Sequence, residues 1–197
     1  MRLFVALDIE PAIHAQISRL LATLKARAPE ARWVRPESLH VTLKFIGEVR
    51  EDKAAQIKKA LASVQASAPT LSFRGTGFFP NAKAPRVFWI GVEADSSLPE
   101  LAKKVDEVAA KFGIDAETLA YKPHLTLARS GSGSPRPRAG ERAEPKFQRV
   151  QQALETMPAA EFGTMTPHEF YLYESKLGPG GAKYTKIQGY PLEVVGR

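Results

Sequence analysis

The chain has 197 residues, of which 44% are hydrophobic and 25% charged, proportions typical of one sizeable globular domain spanning 1–197. It contains no cysteine, which excludes disulfide bonds, thiolate metal sites and cysteine nucleophiles. The formal net charge of +7 favours a polyanionic partner, with nucleic acid ahead of a membrane surface. The N-terminus has neither the long apolar stretch nor the cleavage site of a signal peptide, so we expect a soluble, cytoplasmic protein with no membrane partner.

Strands and helices alternate through the first part of the chain. Alternating apolar residues predict a strand over Arg2–Ile9, and Pro11 begins a helix that ends before Pro29. A second strand is predicted over His40–Gly47, and apolar residues at helical spacing predict a helix at 51–66. Two further β-prone runs predict a hairpin around a Gly-rich turn, with the runs at 70–73 and 86–92 and the turn at 75–81.

The second part of the chain continues the alternation. A third helix is predicted over Leu98–Phe112, with Gly113 as its C-cap, and a further strand over His124–Arg129. A basic segment rich in Ser, Gly and Pro follows at about 130–146, and we expect it to be a mobile loop. The remaining residues predict one helix and three closing strands, at 147–157, 162–165, 169–175 and 182–189.

Two copies of a short motif occur 84 positions apart, and each falls within a predicted strand: His40-Val41-Thr42-Leu43 and His124-Leu125-Thr126-Leu127. Because successive side chains of a strand point to opposite faces, each histidine shares a face with its threonine. The opposite face is apolar and is predicted to hold Val41, Leu43 and Phe45 in one copy and Leu125 and Leu127 in the other. One motif per half predicts an α+β fold of two pseudo-symmetric lobes. Each lobe has a mainly antiparallel sheet with helices on the outside, and the active-site cleft lies between the lobes.

Paired histidines beside threonines are suited to acid–base chemistry on a phosphate. An imidazole titrates near neutral pH, so one histidine can act as a base while the other acts as an acid. The threonine hydroxyls can donate hydrogen bonds to phosphoryl oxygens, where negative charge develops. A single His-x-Thr is more often an ordinary polar strand face, and it is the second copy that favours a site. His14, beside a helix stripe, and His168, in a loop, are not predicted to be catalytic.

No cofactor and no metal are expected, because neither motif contains a carboxylate and no His-x-x-x-His spacing occurs. The sequence also lacks a G-x-S-x-G nucleophile elbow, a P-loop and a dinucleotide-binding glycine pattern. Serine hydrolases and the common nucleotide-binding folds are therefore poorly supported.

At these residues the chain resembles the 2H phosphoesterase superfamily, and in particular the RNA 2′,3′-cyclic phosphodiesterases, historically called 2′-5′ RNA ligases. The resemblance covers nearly the full length and rests on both motifs within the stretches 33–47 and 123–129, and on the further stretches 2–7, 79–80, 85–87 and 172–175. It implies that the chain opens a 2′,3′-cyclic phosphate at an RNA 3′ end, leaving a 2′-phosphate, without a metal. No obligate protein partner is evident from the sequence. A monomer is expected.

The resemblance also implies a role for each site residue. His40 would protonate the leaving O3′, and His124 would take the proton from the attacking water. Thr42 and Thr126 would bind the phosphoryl oxygens, and Arg129 would add positive charge there. Strict alternation places Arg129 on the face opposite His124, so this role requires a twist or bulge at the strand end.

Other interpretations of the same residues stay open. The chemistry also suits a small cyclic nucleotide, a 2′-5′-linked oligonucleotide or ligation in the reverse direction. A non-catalytic RNA-binding module is the alternative from a different class, although the presence of both histidines and both threonines argues against it. Phe78, Phe79 and Trp33 are candidates for stacking a base, with core packing as the alternative for each.

Overall fold

The structure is a computed structural model that describes residues 1–130, 145–178 and 181–194. Of the basic segment expected to be a mobile loop at about 130–146, residues 131–144 lie outside the described residues. Within the described residues, none of the helices combines the length and the apolar character needed to cross a membrane.

The described residues form nine β-strands and four α-helices. The strands are β1 Arg2–Leu7, β2 Arg32–Trp33, β3 Val41–Glu48, β4 Leu71–Phe79, β5 Val87–Ala94, β6 His124–Arg129, β7 Glu161–Met165, β8 Glu169–Gly178 and β9 Gly181–Pro191. The helices are α1 Pro11–Arg27, α2 Glu51–Leu61, α3 Ser97–Ala110 and α4 Pro145–Glu155. A single 3-10 turn, Pro36–Ser38, precedes the first motif strand.

All nine strands belong to one sheet, whose order is β7-β4-β5-β6-β3-β1-β8-β9, with β2 paired to β6. Every pairing between these strands is antiparallel. The motif strands β3 and β6 lie at the centre and are joined through the Val41–Leu125 pair. Each motif strand therefore begins one half of the sheet, β6 with β5, β4, β7 and the short β2, and β3 with β1, β8 and β9, and the two halves meet at the motifs.

The helices cover one face of the sheet, which we call the helix face. The main hydrophobic core contains buried residues from all four helices together with Leu3, Val5 and Leu7 of β1. The alternate β1 residues Phe4 and Ala6 belong instead to a small cluster with Tyr173 on the other face, to which no helix residue contributes. We call that second face the open face, and it carries the motif histidines and threonines.

This architecture confirms the predicted α+β class and the antiparallel character of the sheet. The two expected lobes are the two halves of one continuous curled sheet. They do not correspond to the two halves of the sequence, because β8 and β9 return across the molecule to pair with β1. The helices also cross between the halves, since α1 follows β1 in the chain but packs against β7.

Two local predictions were wrong. The Gly-rich residues 75–81 were predicted as a turn, but β4 continues through them to Phe79 and the chain turns only afterwards. Gly75 has φ +68° and lies at a register shift in the β4–β5 ladder, so it absorbs an irregularity inside the strand. The predicted helix at 51–66 ends earlier, at Leu61.

Candidate active site

The four motif side chains form a two-by-two array on the open face. Val41 and Leu125 are paired across the two strands, and both are buried on the helix face. In an antiparallel register, the residues on either side of such a pair face the other way, His40 opposite Thr126 and Thr42 opposite His124. The structure thus brings together four of the residues predicted from the sequence.

Both histidine rings are oriented by the same local hydrogen bond. Nδ1 of His40 lies 2.7 Å from the carbonyl oxygen of Ser38, and Nδ1 of His124 lies 2.8 Å from that of Lys122. A carbonyl can only accept, so Nδ1 carries the proton in each ring and donates it to the residue two positions earlier. Nε2 makes no hydrogen bond within the described residues. It is therefore the nitrogen of each ring that can accept or donate a proton during a reaction.

Both motif strands contain a bulge at the same position. In β3, Val5 pairs with Lys44 and Ala6 with Thr42, which leaves Leu43 without a partner. In β6, Phe88 pairs with Ala128 and Trp89 with Thr126, which leaves Leu127 without one. Consequently two successive residues face the helices in each strand, and the next residue returns to the open face. The burial pattern is the same from His40 to Phe45 as from His124 to Arg129.

The first bulge corrects a prediction, because Phe45 was expected on the apolar face with Val41 and Leu43. It instead lies on the open face, where 56% of it is exposed and its ring centroid is 6.2 Å from that of Phe4. The helix-face position next to Leu43 is taken by Lys44. Sequence alternation alone could not show this shift, because it depends on the pairing with β1.

The second bulge changes the face on which Arg129 lies, which strict alternation had placed opposite His124. It brings Arg129 to the face of His124, and Nη2 of the guanidinium lies 3.4 Å from Oγ1 of Thr126. The Arg129 charge also lowers the pKa of both His40 and His124, which places it within electrostatic reach of each imidazole. All five residues predicted for the site are therefore gathered on one face.

Aromatic rings flank both histidines. The Phe4 ring lies 4.8 Å from that of His40, and Tyr184 meets His40 edge-on at 5.2 Å. On the other side, Phe79 meets His124 edge-on at 4.9 Å. Sequence reasoning missed Phe4 and Tyr184, since their strands are remote from the motifs in sequence. The alternation of β1 carried one signal, because it separates Phe4 and Ala6 from the core residues of that strand.

Of the three aromatic residues considered for base stacking, only Phe79 lies beside the motifs. Phe78 packs against Phe88 at 5.1 Å, and Trp33 meets Phe88 edge-on at 6.2 Å. The Trp33 indole also donates to the Ala28 carbonyl at 2.8 Å. Phe78 and Trp33 are thus packing residues of the main core.

Both catalytic candidates are held in the neutral form. Burial lowers the pKa of His40 to about 4, which outweighs the raising effect of its bond to Ser38 and of the Asp8 charge. Burial also lowers the pKa of His124, with the Arg129 charge acting in the same direction. Near pH 7 the free protein therefore presents two neutral imidazoles beside one guanidinium. A bound anion would reverse this tendency, because negative charge favours the imidazolium.

The remaining histidine near the motifs supports the chain that leads to His40. His14 of α1 contacts the Pro36 carbonyl through Nε2 at 2.8 Å, at the start of the 3-10 turn. Among the described residues, no three His, Asp or Glu side chains come together as a potential metal site. The open face gathers two imidazoles, two hydroxyls and a guanidinium around the Val41–Leu125 pair.

Comparison with known proteins agrees with this geometry. The model of the LigT like Phosphoesterase family matches the chain twice, over residues 7–89 and 90–184, and each match contains one copy of the motif. A protein of Archaeoglobus fulgidus named RNA 2′,3′-cyclic phosphodiesterase is 35% identical over 95% of this chain and 98% of its own. A protein of the same name from Methanothermobacter thermautotrophicus is 33% identical over 98% of this chain and 99% of its own.

Solved structures have the same fold. A crystal structure of E. coli LigT in its apo form is 28% identical, with a TM-score of 0.73 over 97% of this chain and 96% of that one. A crystal structure of the same protein complexed with 3′-AMP is 27% identical to this chain, with a TM-score of 0.74 over 97% of both chains.

Proposed function

The chain belongs to the LigT-like phosphoesterase family, and on that basis we propose that it is an RNA 2′,3′-cyclic phosphodiesterase. The reaction is hydrolysis of a terminal 2′,3′-cyclic phosphate to a 2′-phosphomonoester, catalysed by two histidines without a metal. The relatives in Archaeoglobus and Methanothermobacter carry the name of this activity, and E. coli LigT has been crystallised with a nucleotide that bears a 3′-phosphate.

The observation that carries the proposal is the array of two histidines and two threonines around the Val41–Leu125 pair. Each imidazole is fixed through Nδ1, so that Nε2 is the reactive atom on both sides of the array. An in-line displacement at phosphorus needs a proton acceptor at the entering oxygen and a proton donor at the leaving oxygen. Two imidazoles that flank one phosphate supply both groups.

In the proposed reaction, Nε2 of His124 removes a proton from water as its oxygen bonds to phosphorus. The P–O3′ bond breaks, and Nε2 of His40 donates its proton to O3′, so the phosphate remains on O2′. Thr42 and Thr126 donate hydrogen bonds to the non-bridging oxygens, and Arg129 offsets their negative charge. His124 is then protonated and His40 neutral, and a proton exchange restores the starting state. All these groups come from one chain, so no second subunit is needed.

The low pKa of His40 fits this scheme if the substrate itself supplies the charge that protonates it. A cyclic phosphodiester carries one negative charge, and placing it beside a buried imidazole favours the imidazolium form. The acid is then generated where the substrate lies, and the free site does not have to hold a second buried cation beside Arg129.

The test uses a short RNA that ends in a 2′,3′-cyclic phosphate, incubated with the protein in EDTA. Product is separated from authentic 2′- and 3′-phosphate standards by chromatography. We expect the 2′-phosphate to form, and His40→Ala and His124→Ala each to abolish turnover while RNA binding remains.

Each part of the proposal has its own contrary outcome. A 3′-phosphate product would contradict the assignment of His40 as the acid, and loss of activity in EDTA would contradict the metal-free mechanism. Near-normal turnover by either alanine variant would show that two-histidine catalysis is wrong. RNA binding without turnover by the native protein would favour the non-catalytic module instead.

A further inference from the structure

The ladder between the two motif strands is very short. Val41–Leu125 is the one backbone pair between β3 and β6, both of which are fully described. The antiparallel register would next place Thr42 opposite His124, but the ladder ends before these two residues form a backbone pair. The Thr42 carbonyl therefore needs a partner other than the β6 backbone, at the level of the histidine that the mechanism uses as the base.

Tyr121 supplies that partner. Its phenol donates to the Thr42 carbonyl oxygen at 2.8 Å, and its ring packs against the main core on the helix face. Burial raises the pKa of the phenol, so the hydroxyl keeps its proton and remains a donor. The side chain thus bridges β3 to the segment that leads into β6, at the point where the backbone ladder has ended.

The same segment orients His124. The residue after Tyr121, Lys122, provides the carbonyl that accepts from Nδ1 of His124 at 2.8 Å. The intervening Pro123 has a fixed φ, so Lys122 and His124 are linked by a stiff residue. A shift of Tyr121 relative to Thr42 therefore moves the acceptor that sets the direction of the His124 ring.

We propose that Tyr121 is a positioning residue: its hydroxyl holds the Thr42 carbonyl and thereby fixes His124 relative to Thr42 and His40. This inference rests on the proposed function, which assigns the reaction to those residues. Tyr121 itself lies on the helix side of the strands and acts only through them. Loss of the hydroxyl leaves the phosphate ligands Thr126 and Arg129 in place, so it lowers the rate of the chemical step more than substrate affinity.

Tyr121→Phe tests this with a matched control in the same chain. Tyr190 also donates its hydroxyl to a backbone carbonyl, that of Lys58 at 2.9 Å, and only 3% of it is exposed. Neither Tyr190 nor Lys58 belongs to a motif strand. Tyr190→Phe therefore removes the same kind of hydrogen bond from the core without touching the site. Thermal unfolding of both variants establishes that each is folded and how much stability each loses.

With the cyclic-phosphate RNA, we expect Tyr121→Phe to lower kcat about 10- to 100-fold with KM within about twofold of the native value. Tyr190→Phe should leave both constants within about twofold, whatever stability it loses. The inference is wrong if kcat of Tyr121→Phe stays within twofold of the native value, or if kcat of Tyr190→Phe falls by as much as that of Tyr121→Phe. In either case the Tyr121 hydroxyl is only a stabilising contact.

A second measurement is independent of turnover. The bond to the Lys122 carbonyl raises the pKa of His124, so loosening it should lower that pKa in an NMR titration of Tyr121→Phe. Tyr190→Phe should give the native titration curve. An unchanged His124 in Tyr121→Phe would overturn the inference. If the native protein fails to hydrolyse the RNA, the proposed function fails, and this titration still decides the role of Tyr121.

Discussion

Replacing Lys44 by methionine should destabilise the protein strongly, although lysine is usually a surface residue. The bulge at Leu43 turns Lys44 to the helix face, where only 3% of it is exposed. Its Nζ lies 2.6 Å from Oδ1 of Asp106 on α3 and donates to the Asp115 carbonyl at 2.6 Å. A third contact, to Oε1 of Glu117, is 3.3 Å long. Methionine keeps an unbranched side chain one atom shorter than that of lysine and removes the charge and all three contacts.

The size of the effect follows from which group is left without a partner. Removing one member of a buried ion pair costs about 3–5 kcal/mol, because the other charge stays buried. The Asp106 side chain is 19% exposed and can regain some hydration, so the lower end, about 3 kcal/mol, is expected. Arg50 and Asp52 form a pair at 2.8 Å whose side chains are 87% and 58% exposed, so Arg50→Met should cost far less, because solvent screens the two charges.

Urea unfolding followed by circular dichroism measures both variants. With an m-value of about 2 kcal/mol/M, Lys44→Met should lower the midpoint by about 1.5 M, and Arg50→Met should change it much less. Adding Asp106→Leu to Lys44→Met should recover much of the loss, because it removes the unpaired charge. Equal midpoints for Lys44→Met and Arg50→Met would refute the view that the bulge buries a structural ion pair.

Three further predictions concern activity. The pH dependence of kcat/KM reports on the free enzyme, in which burial lowers the pKa of His40 to about 4 and also lowers that of His124. We therefore expect kcat/KM to be maximal below pH 6.5 and to fall as the pH rises, because the proposed acid loses its proton. Arg129→Met should lower kcat/KM about 10- to 100-fold, since a hydrogen bond to a charged group is worth about 1.5–3 kcal/mol. Gly77→Ala should cost about 1–3 kcal/mol of stability in urea unfolding and lower kcat/KM, because a Cβ there would lie 2.3 Å from the Trp89 ring.

Each of these predictions has a control or a contrary result. A kcat/KM profile that is flat from pH 6 to 8 would contradict the first. Arg50→Met also removes an exposed positive charge, so equal losses in it and in Arg129→Met would point to general electrostatic attraction. Gly178 has its nearest neighbour at 3.7 Å from an added Cβ, so Gly178→Ala should be neutral in both assays. A native-like Gly77→Ala would show that Trp89 moves freely.

Trp89 connects that glycine to the site, which explains why activity should respond. Its ring lies 5.1 Å from that of Phe79, and Phe79 in turn meets His124 edge-on at 4.9 Å. A displaced indole therefore disturbs the ring that packs beside His124.

The sequence by itself determined the features that depend on neighbouring residues. Alternation along a strand identified the face shared by His40 and Thr42, and by His124 and Thr126, before any pairing was known. Helical spacing located α1 and α3 to within a few residues. The motif copies also marked the two strands that meet at the centre of the sheet. Local stereochemistry suffices for each of these, because a side chain's face depends on the residue beside it.

Only the tertiary structure decided what depends on contacts between distant segments. The bulges at Leu43 and Leu127 arise in the pairing with β1 and β5, and they move Phe45 and Arg129 to the open face and Lys44 into the core. The placement of Tyr184 beside His40, and of the Tyr121 hydroxyl on Thr42, likewise joins residues far apart in sequence. A bulge shifts the face of every later residue in its strand, so periodicity alone cannot reveal which side chains complete the site.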